Sequence, residues 1–189
     1  GLSGTIHPQE EKVLRAGANA ARRTGASLNI HPPLFGPEPS PVAAHEALDI
    51  IEEEGLSLDR VVVSHMDQDH NAIQDLRNHE RIARRGAYVE FDEWDGWDMY
   101  LAEDDHAYPS DATRVDAVLE LIESGHTDRL LFSHDVCTKM QLTKYGGKGY
   151  AYIPDHVLPW LRSEGVSDAD ISTIIEKNPE HILTFADGE

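Results

Sequence analysis

Val61-Val62-Val63-Ser64-His65 and Leu130-Leu131-Phe132-Ser133-His134-Asp135 are short apolar runs that stop on metal-type ligands. Ala26-Ser27-Leu28-Asn29-Ile30-His31-Pro32 has the same shape. Four to eight apolar residues with β-branched content read as a buried strand of a parallel sheet. A TIM-barrel site needs ligands at the C-terminal ends of successive parallel strands. His31, His65 and Asp135 then point into one shared mouth. Imidazole nitrogen and carboxylate oxygen suit Zn, Mn, Fe or Co. The pattern is that of a metal hydrolase, or a piece of one.

Working outward, helices and strands alternate. Residues 8–24 read as a helix, with Pro8 in the first turn, Glu10 and Glu11 at the positive end of the dipole, and Gly25 as the stop. Its inner stripe is Val13, Leu14, Ala18 and Ala21. The spacing predicts strands at 26–31, 60–65, 87–91 and 129–134. It predicts helices at 41–54, about 70–85, 111–124, 150–164 and 168–177, and a short one after Asn178-Pro179. Asp111 is the expected N-cap of the fourth helix. Pro32, Pro33, Pro37, Pro39 and Pro41 mark a loop at the active face. Residues 92–110 read as an acidic, aromatic loop. Strands each followed by a helix imply parallel pairing.

Length and charge bound the rest. The 189 residues suffice for one sizeable core. They fall short of a full (β/α)8 barrel, which takes ~200 residues at the least. Residues 1–189 are therefore expected to be a single domain, the C-terminal portion of such a barrel. Gly1-Leu2-Ser3-Gly4 reads as the loop after a missing strand. The net charge of −19 leaves no basic patch for a nucleic acid and repels an anionic membrane. With 5 Lys against 11 Arg, the acidic surface also suits a high-salt cytoplasm. The single cysteine, Cys137, excludes an internal disulfide and fits a reducing compartment. No signal peptide and no apolar run near 18 residues is seen, so a cytoplasmic location is expected.

Leu131-Phe132-Ser133-His134-Asp135-Val136-Cys137-Thr138-Lys139, followed by Leu142-Thr143-Lys144-Tyr145-Gly146-Gly147-Lys148-Gly149-Tyr150, resembles the phosphotriesterase family of the amidohydrolase superfamily. The phosphotriesterase-related and lactonase-like branches are nearest. Gly165-Val166-Ser167, Ile174-Ile175-Glu176-Lys177-Asn178-Pro179 and Leu183-Thr184-Phe185 fit as well. So do Glu52-Glu53-Glu54-Gly55 and the run from Val61 to Asp67. The resemblance spans nearly the whole chain, with the motifs in order.

The resemblance implies a (β/α)8 barrel with a binuclear metal centre, of which this chain covers about strands 5–8 with their helices, from helix 4 to the C-terminus. It implies two divalent metals, Zn foremost and Mn, Fe or Co as substitutes. His31 matches the strand-5 ligand and His65 the strand-6 ligand. Asp135 matches the strand-8 aspartate, which binds metal and takes a proton from the attacking water. The family's strand-1 His pair and its strand-4 bridging residue have no match here. The strand-7 Asp is Asp92, and the Arg-Tyr pair that often follows it is replaced by Glu93-Trp94. Lys148 stands where His is common.

The expected activity is hydrolysis of an ester, lactone, amide or phosphotriester. Tyr88, Trp94, Lys144 and Tyr145 are the candidates for contact with a small-molecule substrate, and Trp97 and Tyr100 for lining a pocket. Asp135 is the candidate catalytic base. Two alternatives stand beside this. One is a catalytically incomplete half barrel needing a second copy or the missing N-terminal half, and the other is a mononuclear hydrolase on the same barrel. Asp92, Asp95, Asp98, Asp104 and Asp105 read as a solvated acidic loop. His134 reads as packing beside the site. His7, His45, His70, His79, His106, His126, His156 and His181 are assigned to solvent, and Cys137 to no special role.

Overall fold

Helix α1, Pro8–Thr24, begins on a reciprocal cap. The His7 ring accepts from the Gln9 N–H at 3.2 Å, and the Glu10 carboxylate accepts from the His7 N–H at 2.8 Å. Gly25 ends it at φ 74°, and a Cβ there would lie 1.8 Å from the Ala186 carbonyl oxygen. Any side chain at this position would push the C-terminal segment off the barrel floor. The computed structural model describes residues 1–33, 40–69, 72–95 and 108–186. His70, Trp97, Asp98, Tyr100, Asp104, Asp105 and His106 lie outside them.

Four strands follow in order: β1 (Leu28–Ile30), β2 (Val61–Val63), β3 (Tyr88–Phe91) and β4 (Leu130–Phe132). All three pairings are parallel, in the order β1-β2-β3-β4. The intervening helices are α2 (Ser40–Glu53), α3 (Arg77–Arg84) and α4 (Asp111–Glu123). The right-handed βαβ rule explains why they cover one face. Ile30, Val61, Val63, Val89, Phe91 and Leu130 pack on that face against Leu48, Ile51, Ile82 and Leu121. The concave face carries a smaller cluster, Val62, Tyr88, Leu131 and Ile182. Register explains the split, because alternate residues of each strand point to opposite sides.

The predicted strands are longer than the observed ones. His65 and Asp135 take φ of 56° and 42°, in the left-handed region, so the chain turns out of the sheet there. Both candidate ligands thus sit on the turn that ends their strand, where sparsely populated backbone conformations concentrate at functional sites. The third helix starts later than predicted, after a 3-10 turn at Ala72–Gln74.

The C-terminal helices carry two π turns, Ile153–Val157 and Thr173–Lys177. In each, the last N–H bonds five residues back, Leu158 to Ile153 and Asn178 to Thr173. Pro159 and Pro179 come directly after. A proline ring clashes with the carbonyl four residues earlier and offers no N–H, which opens the turn before it. Helices α5 (Leu158–Ser163), α6 (Asp168–Ser172) and α7 (Asn178–Leu183) complete the chain. The buried Arg60 guanidinium donates to the carbonyls of Gly25, His181 and Thr184, fixing the last segment across the N-terminal ends of the strands.

Three expectations need correction. Val13, expected inside, is 71% exposed, because it faces the open flank of β1 rather than α2. His79 and His126, assigned to solvent, are buried. His79 on α3 is covered where it reaches the Met66 carbonyl, and His126 lies in the turn after α4. Among the described residues, no helix is long and apolar enough to cross a membrane.

Candidate metal centre

The C-terminal ends of β1 to β4 bring His31, His65, Glu93 and Asp135 to one end of the sheet. Donor atoms of His65, Glu93 and Asp135 all lie within 4.8 Å of one another. The His31 and His65 rings meet edge to face, with centroids 4.5 Å apart. The three residues singled out by sequence therefore share one end, and Glu93 joins them. Asp92, read from the sequence as part of a solvated acidic loop, is buried instead, and so is Glu93 beside it, each 3% exposed.

Asp92 fixes His65. Both its carboxylate oxygens accept the His65 backbone N–H, each at 3.1 Å, and Oδ1 accepts the ring Nδ1–H at 3.0 Å. With Nδ1 committed, Nε2 is the nitrogen free to bind a metal. Burial disfavours the charged ring, but hydrogen bonds to Asp92 and Glu93 outweigh it and raise the His65 pKa to about 10. Burial pushes the Asp92 carboxyl up; the bond from His65 opposes this and the Asp67 carboxylate adds to it. Two N–H groups of His65, backbone and ring, donate to it, so the carboxylate acts only as acceptor. Burial also raises Glu93. His31 is lowered, first by burial and then by the charge on His65. Its Nδ1 lies 2.9 Å from the Pro32 carbonyl oxygen, which commits that nitrogen as donor too.

Behind Asp92 and Glu93 stands Asp67, wholly buried. It accepts the Asp92 N–H at 3.2 Å, the Glu93 N–H at 3.1 Å and the Arg114 Nε–H at 2.7 Å. Arg114, equally buried on α4, also donates to the Pro109 carbonyl and to Asp111. Tyr152 donates to the other Asp111 oxygen at 2.7 Å. A helix on the outer layer is thus wired to the turn that holds Glu93. Sequence reasoning missed this pair because Asp67 and Arg114 are 47 residues apart. Its one local signal was Asp67, two residues after His65.

The Met66 carbonyl is held by His79, whose Nε2 lies 2.6 Å away; its Nδ1 is buried with no partner among the described residues. A second proton would sit on that nitrogen without an acceptor, and burial lowers the His79 pKa. The unfolded chain takes this proton near pH 6.5, whereas the native state resists it until lower pH. Stability is therefore expected to fall as pH drops below about 6.5. Urea midpoints at pH 5.5 and 7.5 should differ more in the wild type than in His79→Gln. Equal pH dependence of the two would contradict the assignment.

The predicted substrate contacts fare unevenly. Tyr88 is buried at the first residue of β3, with Arg129 over its ring at 5.4 Å and His181 beside it at 6.2 Å. At ~3.3 Å per residue it lies roughly 13 Å along the strand from Asp92, at the barrel floor. The strand direction puts it at the end opposite His65 and Asp135. Trp94 is wholly buried between Phe91 and Phe132, with ring centroids 6.4 and 5.1 Å away. Lys144 and Tyr145 lie exposed in the loop after β4, with Lys139 and Lys144 each 5.6 Å from the Tyr145 ring. Gln141 ties that loop back to the Asp135 carbonyl at 3.3 Å. Lys148 donates to the Asp95 carbonyl at 3.1 Å. His134 Nε2 accepts from the Ile153 N–H at 3.4 Å, a packing role. Cys137 is exposed, and burial and the charges of Asp135 and Glu93 raise its pKa, so it stays a thiol at neutral pH.

A parallel sheet with helices on one face and His, Glu and Asp side chains at its strand ends is part of a (β/α)8 barrel of the hydrolase type. Residues 2–183 match the model of the phosphotriesterase family, and the chain belongs to that family. It is 35% identical over 187 residues to an N-acetyltaurine hydrolase of Danio rerio, covering 98% of this chain and 51% of that protein. A resiniferatoxin-binding protein from Rhodobacter sphaeroides superposes with a TM-score of 0.86 at 40% identity, over 97% of this chain and 49% of that one. The phosphotriesterase homology protein from Escherichia coli, solved with phosphate in its active site, gives 0.79 at 30% identity, over 96% and 56%. The chain spans about half the length of the curated relatives it matches.

Proposed function

We propose that the protein is a metal-dependent hydrolase in which His31, His65 and Asp135 hold divalent metal, Zn foremost. The observation that carries this is the convergence of buried His65 and Glu93 with Asp135, donors within 4.8 Å of one another. N and O donors of this kind fit Zn, Mn, Fe or Co. A bound metal pair supplies a water of lowered pKa and polarises the substrate oxygen. Asp135, on the exposed side of the cluster, accepts the proton of that water. Asp92 fixes the His65 ring through Nδ1 and so leaves Nε2 as the nitrogen for a metal. Asp67 and Arg114 hold the Asp92–Glu93 turn in place.

Lys139, Lys144 and Lys148 are three of the chain's five lysines, and residues 136–150 contain no acid. In a protein of net charge −19, this loop beside Asp135 is a local cationic edge. It suits a substrate with an anionic group, such as the sulfonate of the amide that the relatives' name specifies. We therefore favour amide hydrolysis of an anionic N-acyl compound over phosphotriester or lactone hydrolysis. Lys144 and Tyr145 then orient that group.

The rest of the barrel has a place to join. β1 and β4 each have one edge unpaired among the described residues. Apolar grooves run beside both, one reaching His31 and the other Asp135. This supports reading residues 1–189 as the C-terminal portion of a single barrel domain. An N-terminal half, or another copy, completes it. The test is hydrolysis of N-acetyltaurine, a lactone and a phosphotriester by the intact protein before and after chelation. Activity lost with the chelator and restored by Zn²⁺ is expected. Activity that survives complete metal removal refutes the metal-dependent reading.

A further inference from the structure

We propose that Lys148 is a positioning residue that clasps the turn after β3 to the loop after β4, so that the His65–Asp92 side of the site and the Asp135 side keep one spacing. The clasp rests on geometry alone; its effect on catalysis rests on the hydrolase reading above.

Three observations carry it. First, the Lys148 ammonium is held from two sides. It donates to the Asp95 carbonyl at 3.1 Å and lies 4.2 Å from the centre of the Tyr152 ring, a cation–π distance. Second, the turn it grips is constrained. Asp95 stands at φ 97°, a conformation that costs a residue with a side chain and persists where the surroundings enforce it. The N–H groups of Asp92 and Glu93 are held by Asp67, which Arg114 and Asp111 connect to the Tyr152 hydroxyl. One network thus grips the turn at both ends.

Third, the loop that carries Lys148 is itself fixed to the site. The Gly149 N–H donates to the Gln141 carbonyl at 2.8 Å, and a Cβ at Gly147 would lie 2.2 Å from the Gln141 carbonyl carbon. The Gln141 side-chain oxygen accepts the N–H groups of Cys137 and Thr138, and its amide donates to the Asp135 carbonyl at 3.3 Å. A continuous path therefore runs from Asp135 through Gln141, the Gly147–Gly149 turn and Lys148 to Asp95. It bridges the ends of β3 and β4 beyond their last ladder bond, from the Ser133 N–H to the Phe91 carbonyl. With its ammonium engaged in this way, Lys148 leaves the recognition of an anionic substrate to Lys139 and Lys144.

The test is amide hydrogen exchange of the intact protein, read by mass spectrometry on peptides spanning residues 88–95. Steady-state kinetics with N-acetyltaurine and with the neutral N-acetylethanolamine run beside it. Lys148→Met is expected to speed exchange of the Asp92 and Glu93 amides about fivefold or more, through loss of a hydrogen bond from a charged donor. It should lower kcat for both substrates by a similar factor and leave KM little changed. Lys148→Arg keeps the charge and the ring contact and should restore both readouts. Lys144→Met should instead raise KM for N-acetyltaurine alone and leave exchange unmoved. Unchanged exchange in Lys148→Met overturns the clasp. So does a rise in KM confined to the anionic substrate, which would make Lys148 a substrate contact. A wild type that hydrolyses neither compound overturns the amide-hydrolase reading, and the exchange comparison still decides the clasp.

Discussion

Asp135→Asn is expected to lower kcat/KM of the intact protein roughly 10²–10⁴-fold, the range set by loss of a positioned general base. The substitution also removes a metal donor, which pushes the effect toward the upper end. Its value as a test comes from the backbone. Asp135 sits at φ 42°, a conformation that Asn and Asp adopt with little cost and that other side chains resist. Asn also keeps the size of the side chain. The fold should therefore survive, with a melting temperature close to that of the wild type. Asp135→Ala would add backbone strain to the chemical loss and confuse the two. Steady-state kinetics of Asp135→Asn with metal restored to saturation is the measurement. Activity within threefold of wild type would remove Asp135 from the mechanism.

The second large effect concerns stability. Arg114→Met is expected to cost about 3–5 kcal/mol, because it strands the Asp67 carboxylate without its cation. Both side chains are 0% exposed, so water cannot replace the lost charge. Folded domains hold about 5–15 kcal/mol in all, so this is a large share. Asp67 keeps the N–H groups of Asp92 and Glu93 as partners, and they alone do not neutralise it. Adding Asp67→Asn to Arg114→Met removes the stranded charge and should recover part of the loss. Urea unfolding of the wild type, both single variants and the double variant measures this. A double variant no more stable than Arg114→Met would show that the ion pair is not the source of the cost. Because Asp67 also holds the turn carrying Asp92, which fixes His65, Arg114→Met should weaken metal binding as well.

The strands, their order and their parallel sense were legible in the chain, because Val61-Val62-Val63 and Leu130-Leu131-Phe132 are continuous apolar runs between helical periods. His31, His65 and Asp135 also stood out as polar residues ending such runs, and the fold brings all three to one end of the sheet. The glycines and prolines marked helix ends, and Pro159 and Pro179 explain the π turns once seen. Residue type alone misplaced Tyr88 and Trp94. An aromatic residue satisfies a buried core and a substrate pocket equally, and only the strand direction and the packing of Phe91 and Phe132 decide between them.

The sequence by itself determined which segments alternate, which residues end them and that the surface is strongly acidic, because these depend on local period and composition. Tertiary structure alone decided that Asp92 and Glu93 are buried beside His65 and that Asp67 meets Arg114. It also decided that His79 holds Met66. Their burial depends on what folds over them from 13 to 47 residues away, and a charged residue looks the same in sequence whether water or a partner satisfies it.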